Sequence, residues 1–401
     1  MKARFELAPF RNRALIYRLR PLGHFIFSES VMSGTSLDGL DLAYFKFKYL
    51  ENQKQTFNSK SFTYEIINAE TIAYDENMRS NLINTMQMSG VELSKFDREY
   101  GKFIGESIVK FIKKFNIHHK SVDYVSSHGH TVFHNPSEQY TVQIGHGSSI
   151  AASCKIPTIC DFRSLDVALG GQGAPLVPIG DKLLFAEYKY CLNIGGIINI
   201  SFDINQSDEI NQIRKAFDVS PGNMILNYLC KKYLNKEYDA DGQEARLGKT
   251  HQELLNQLLN VEFFLKAGPK SLGKEHVEKD FLPLIEANQD LSVQDKLNTV
   301  VEMMAQTTAE QIKVNDSKQE DDIKVLATGG GAYNKYFIER LNFYLRDTKV
   351  QVIVPNNLIV EFKEALLFAF LGFLRILKLP NCLKSVTGAS QDNIGGCLYL
   401  I

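Results

Sequence analysis

Apolar and polar positions along the chain switch repeatedly between strand-like and helix-like spacing. Residues 63–74, TYEIINAETIAY, have the character of a strand. Residues 98–117 then place Tyr100, Phe103, Ile104, Ile108, Phe111, Ile112 and Phe115 on one face at helical intervals. Residues 121–136, SVDYVSSHGHTVFHNP, read as a short buried strand that runs into a polar loop. Further on, YCLNIGGIINIS (190–201) is two short apolar runs about a Gly-Gly pair, which predicts a hairpin. AFDVSPGNMILNYLCKKYL (216–234) predicts a strand end, a Gly-Pro loop and a helix. Val301, Met304, Thr308 and Ile312 mark a long amphipathic helix, NDSKQEDDIK (315–324) is a charged surface run, and VLATGGGAYNKYFIERL (325–341) is strand, triple glycine, helix. The most apolar stretch, ALLFAFLGFLRILKL from Ala365, is broken by Arg375 and falls short of the roughly 20 residues that cross a bilayer, so it predicts a buried helix. Strand, Gly-rich turn and further strands or a helix occur in each half, which predicts an α/β protein of two similar domains facing one another.

Composition narrows the partner. At 401 residues the chain exceeds one ordinary domain of about 150 residues, and 44% hydrophobic with 23% charged residues suits a globular protein with a real core. Lys plus Arg (45) nearly cancels Asp plus Glu (46), so no basic field exists to hold nucleic acid or an anionic membrane, and a small-molecule partner is expected. The six cysteines form no CxxC pair and read as reduced, mostly buried residues of a cytoplasmic protein, without a zinc or disulfide role. Residues 1–30 carry six basic residues, Lys2, Arg4, Arg11, Arg13, Arg18 and Arg20, against Glu6 and Glu29, and read as an atypical N-terminal extension or arm.

Two stretches are too polar and glycine-rich for regular structure. The first, VMSGTSLDGLD (31–41), is poor helix and mediocre strand, yet glycine turns let a backbone approach a phosphate, with N–H groups and hydroxyls replacing its water shell. Gly34, Thr35, Ser36, Leu37, Asp38, Gly39, Leu40 and Asp41 make such a cradle, and Gly195–Gly196 and Gly329–Gly331 are two further phosphate-friendly turns. Asp38 or Asp41 is then placed to hold Mg2+, a hard cation that prefers carboxylate and phosphate oxygens. Neither a GxxxxGK[ST] loop nor a GxGxxG fingerprint in its expected setting is present. The second stretch, residues 156–185, ends a strand at Asp161, passes Asp166 and continues as GGQGAPLVP. A long irregular segment of this kind inside a domain is commonly functional.

The ordered series MSGTSLDGLD, SHGHTVFHNP, QIG, DFRSLD, GGQGAPLVP, LNIGGIINI, SPGNMILN, GPKSLGKE, TGGGAYN, EALLFAFLG and TGAS resembles the successive signatures of the anhydro-N-acetylmuramic acid kinases, from about residue 31 to the C-terminus. The resemblance implies two RNase H-like domains of the sugar kinase, actin and chaperone ATPase superfamily, here expected at 31–160 and 161–401 with the final helix packing back on the first. It implies ATP and Mg2+, with Asp38 taken as the metal ligand. It also implies a reaction that opens the 1,6-anhydro bridge with water and phosphorylates the oxygen on carbon 6. Gly34 to Asp41 would grip the phosphates, Gly195 and Gly196 would form a second phosphate loop, and Gly329 to Gly331 with Asn334 would meet the adenosine. Asp166 would be the base for the water; its alternative reading is a helix cap. Arg163 would pair either with that aspartate or with the lactyl carboxylate of the sugar. His128 and His130 would touch the substrate, His130 standing where the family usually has glutamine. A homodimer is expected by the same likeness. A sugar or nucleotide sensor without chemistry and an ordinary hexose kinase are the rival readings.

Overall fold

The computed structural model describes residues 24–33, 39–50, 61–204, 213–266, 268–315 and 322–401. β1 (His24–Ser33) and β2 (Gly39–Tyr49) pair antiparallel, with Ser33 opposite Leu40, and β3 (Phe62–Ala73) extends the pair on the far side of β2. Residues 24–30, expected in the extension, therefore belong to the sheet, because β1 has a partner on both sides. α1 (Gly90–Lys114) carries the apolar stripe read from the sequence but begins earlier, at a capping box in which Ser89 and Glu92 satisfy each other's backbone N–H groups. The chain then enters β4 (Tyr124–Asn135), parallel to β1.

The polar half of β4, expected as loop, is strand because β5 (Tyr140–Ile144) folds back on it, with His130 opposite Ile144 and Asn135 opposite Tyr140. α2 (Gly147–Cys154) leads to β6 (Thr158–Cys160), parallel to β4. Two short helices follow, α3 (Ser164–Ala168) and α4 (Pro178–Leu184).

The second sheet repeats the plan. β7 (Tyr190–Ile194), β8 (Ile197–Ile204) and β9 (Ile213–Pro221) are antiparallel neighbours. After α5 (Asn223–Leu229) and the long α6 (Val293–Val314), β10 (Ile323–Thr328) adds parallel to β7. α7 (Lys335–Leu345) then connects to β11 (Val350–Ile353), parallel to β10. The chain returns to the first sheet through α8 (Asn357–Ile376) and β12 (Cys397–Tyr399), which pairs antiparallel with β6.

Strand orders β3-β2-β1-β4-β6 and β9-β8-β7-β10-β11, each with three antiparallel strands followed by two parallel ones, are one arrangement used twice. This is the RNase H-like pair expected from the motifs. A boundary at residue 160 describes the chain only up to α8, since α8 and β12 cross back.

α8 is apolar on nearly every side because it is buried on nearly every side. Its Phe373 stacks on Phe47 of β2 at 5.2 Å, while Phe370 meets Phe62 of β3 edge-on. Ser126 and Tyr124 of β4 donate hydrogen bonds to its Phe368 and Ala369 carbonyls. The same core cluster takes in Cys191 of β7 and Leu326 of β10, so α8 and α4 lie where the two sheets meet. One polar interruption there is ionic: Lys363 of α8 lies 2.8 Å from Asp181 of α4, beside the buried Arg214 of β9. Burial pushes Asp181 up, but Lys363 and Arg214 outweigh it and hold the carboxyl below its ordinary value.

Candidate functional site

Corresponding turns of the two sheets carry the glycines. The first joins β1 to β2, and its residues Gly34 to Asp38 lie outside the described residues; Gly39 and Leu40 open β2, and Asp41 accepts a 2.6 Å hydrogen bond from Thr71 of β3. The second joins β7 to β8, where the Gly195 and Gly196 carbonyls accept the first N–H groups of α5, from Asn223 and Met224. Against it lies the triple glycine. A side chain on Gly331 would reach within 2.2 Å of Ile194 Cγ2, whereas Gly330 has open space around it. Gly329 sits at φ +81°, and a Cβ there would meet Asn193 Oδ1 at 2.6 Å and the Ile194 carbonyl at 2.9 Å. The two loops thus form one bare backbone surface of the kind that accepts phosphate. Gly329→Ala strains a left-handed residue and pushes the loops apart; ATP affinity is expected to fall about tenfold, roughly 1.4 kcal/mol, by titration calorimetry. Asn334 caps α7, its Oδ1 accepting from the Phe337 N–H at 2.9 Å.

In the segment after β6, Asp166 is fully buried and both its oxygens are occupied. Oδ1 accepts from Cys382 Sγ (2.9 Å), Thr387 Oγ1 (2.8 Å) and Asn393 Nδ2 (2.9 Å), and Oδ2 accepts from the Gly173 N–H (2.8 Å). Three donors crowd Oδ1, while Oδ2 takes one and keeps a second lone pair, in a position closed to solvent. Asp166 is also not the cap of α3: Arg163 holds that position, and Asp161 Oδ1 accepts from the Ser164 N–H at 3.2 Å. Asp166 instead ties the GGQG loop to the chain's C-terminal segment.

Arg163 does not turn to Asp166 either. Its Nε and Nη2 donate to His128 Nε2 at 3.0 and 2.9 Å, and Nη1 donates to the Gly173 carbonyl at 2.7 Å. His128 Nδ1 lies 3.0 Å from the Gly129 carbonyl, so Nδ1 carries the proton and Nε2 accepts. Burial and the adjacent guanidinium push this imidazole well below its ordinary value, which keeps it neutral. His130, on the same strand, is half-buried and also pushed down by burial.

Two carboxylates that the sequence did not single out stand out, one near Arg163 and one in the second sheet. Glu364 of α8 faces open solvent on one side, yet the walls around it desolvate the carboxyl and, with Asp41 nearby, raise it, while Arg163 pulls it back. Asp41, Arg163 and Glu364, from β2, the loop after β6 and α8, therefore share one field. Asp218 of β9 lies just before Pro221, which pairs with Ile197 at the Gly195–Gly196 turn. Burial raises its pKa against two donors, the Leu272 N–H at 2.8 Å and Ser271 Oγ at 3.3 Å, both on Oδ2. A half-buried carboxylate raised by desolvation, on the strand that leads to a glycine turn, is a general-base candidate. Its signal was present in AFDVSPGN as an aspartate in a largely apolar strand three residues before Pro221-Gly222.

A cavity of about 230 Å³ opens between β5 and the β6–α3 loop, lined in part by His128, Gly129, Gln143, His146, Asp161 and Tyr399. His130 is not part of its described wall. Among the described residues no group of three or more His, Cys, Asp or Glu is placed to hold a metal ion, and no helix is long and apolar enough to cross a membrane.

A family described as anhydro-N-acetylmuramic acid kinase matches residues 28–400. A protein of Sulfurimonas denitrificans named anhydro-N-acetylmuramic acid kinase is 32% identical over 388 residues, covering 93% of this chain and 99% of its own. Proteins of the same name from Aliivibrio fischeri and Pasteurella multocida are 34% and 35% identical over 92% of this chain, and 98% and 95% of their own lengths are covered.

Proposed function

The chain belongs to the anhydro-N-acetylmuramic acid kinase family, and from that premise we infer how its residues divide the work. The protein is an ATP-dependent kinase that opens 1,6-anhydro-N-acetylmuramic acid and phosphorylates the oxygen on carbon 6. The observation that supports this division of roles is the contrast between Asp166, fully buried with four donors on its carboxylate, and Asp218, half-buried, raised by desolvation and holding both of its donors on one oxygen.

Asp218 accepts a proton from water through Oδ1 while the Ser271 and Leu272 donors hold Oδ2. The water oxygen bonds to carbon 1, the bond from carbon 1 to the bridging oxygen breaks, and that oxygen takes the γ-phosphoryl group as ADP leaves. A carboxylate of ordinary acidity is a weak base; desolvation raises Asp218 toward the working pH. The glycine loops at 195–196 and 329–331, with the segment from Gly34 to Asp41, hold the phosphates by backbone N–H groups. Mg2+ would be held mainly by the phosphate oxygens, with Asp38 as its protein ligand, and would offset their charge. The sugar lies against the cavity beside β5, and its lactyl carboxylate pairs with the Arg163 guanidinium through the donor hydrogens that His128 and the Gly173 carbonyl do not use. We place the enzyme in the cytoplasm, with a homodimer as its expected assembly.

His128 acts through Arg163. His128→Phe keeps a ring against Phe368, now 4.5 Å away, but removes the acceptor that holds the guanidinium. The sugar KM is expected to rise with a smaller change in kcat, measured by steady-state kinetics.

The reading is tested by supplying the anhydro sugar and its opened form in turn, with ATP, in water enriched in heavy oxygen. Label at carbon 1 of a 6-phosphate product made only from the anhydro sugar is the expected result. Phosphorylation of the opened sugar alone would establish an ordinary hexose kinase, and binding without product a sensor.

A further inference from the structure

Cys160 and Cys397 stand directly opposite each other across the antiparallel pair β6–β12. Opposed residues in such a pair hold their Cβ atoms about 4.5–5.5 Å apart, and a disulfide needs about 3.5–4.5 Å. The difference is small, and β12 is built to absorb it. It is three residues long, lies at the edge of the sheet, and follows Gly395 and Gly396, the latter at φ +111°. Cys397 is exposed, Cys160 half-buried, and both border the same cavity. The four other cysteines are buried, and none has a cysteine opposite it in a strand pair among the described residues.

We propose that Cys160 and Cys397 form a reversible disulfide that staples the C-terminal strand to β6. This revises the expectation from composition that the cysteines carry no disulfide; that expectation describes the reduced chain. The oxidant is a low-molecular-weight disulfide. The exposed Cys397 thiolate attacks one of its sulfurs, forming a mixed disulfide and releasing one small thiolate. The Cys160 thiolate then attacks the Cys397 sulfur, closing the protein bond and releasing the second. Two protein thiols are oxidised, one small disulfide is reduced to two thiols, and the two protons pass to the leaving thiolates.

Cys397 must turn from Asp161 Oδ2, which its sulfur now approaches at 3.9 Å. Burial pushes Cys160 up to about 12, and burial with Asp161 raises Cys397. Closure is therefore slow at neutral pH and quickens as pH rises. The bond closes more than half of the chain into one loop, the condition under which a cross-link most restricts the unfolded ensemble.

The test uses the full chain, reduced and then exposed to glutathione disulfide. A non-reducing digest is expected to contain one joined peptide holding Cys160 and Cys397, two hydrogens lighter than its separate halves and released by dithiothreitol. The oxidised protein should melt several degrees above the reduced one, and Cys397→Ser, at an exposed position, should show neither effect. Glutathione retained on Cys397 while Cys160 stays open to alkylation would overturn the proposal. That readout is made on the natural chain and does not depend on any variant.

Discussion

Asp218→Asn is expected to lower kcat by about 10²–10⁴-fold while ATP and the anhydro sugar still bind, the range that general-base catalysis contributes. The amide keeps the carboxylate's shape and can still accept from the Leu272 N–H, but it cannot take a proton from water. Stability should move the other way. Burial raises the folded pKa of Asp218, so its protonated form is the one that folding favours, and that contribution is lost as pH rises through the folded value. At neutral pH the ionised group is therefore a cost to folding, and the neutral Asn variant should melt at or above the temperature of the parent. The same shift predicts that kcat/KM falls on the acid side at a pH above the ordinary aspartate range. A turnover assay, a melting curve and a pH profile give three readouts. Near-parent turnover would remove Asp218 from the chemistry.

Asp166→Asn is expected to fail in folding, not only in turnover. Four donors converge on the carboxylate, three of them from residues 382–393. An Asn side chain keeps one acceptor oxygen and turns an NH2 group toward either the Gly173 N–H or the Cys382, Thr387 and Asn393 trio. Each donor left unpaired in the interior costs about 1–3 kcal/mol, so the loss should reach about 3 kcal/mol and appear as a lower melting temperature. Activity should fall with it because the GGQG loop, and with it the Gly173 carbonyl that holds Arg163, is released. An Asp166→Asn protein as stable as the parent but inactive would restore this residue as the base.

The two aspartates show where reading the chain succeeds. The helix read at 98–117, the hairpin read at 190–201 and the buried helix read from Ala365 follow from spacing alone, because each depends on the residues within a few turns of itself, while their full extents, 90–114, 190–204 and 357–376, came from the structure. The glycine turns at 195–196 and 329–331 were legible for the same reason: a backbone that must stay bare can be recognised locally. The order of the motifs was enough to place the family, since each is a local signature. By contrast, HTVFHN (130–135) becomes strand because a later segment, β5, folds back to pair with it.

Asp166 and Asp218 look alike in sequence, each an acid beside glycines, and what separates them is distant in the chain. Cys382, Thr387 and Asn393 lie more than 200 residues beyond Asp166, yet all three donate to its Oδ1. Asp218 takes its two donors from residues 271–272 and keeps an oxygen clear of them. Arg163 likewise has its acceptor, His128, on another strand, and Glu364 enters the site only because α8 crosses back to the first sheet. The sequence by itself determined the elements, the bare turns and the family, all set by neighbouring residues. The tertiary structure alone decided which donors surround each carboxylate, because hydrogen-bond partners and burial are contributed by residues far away along the chain.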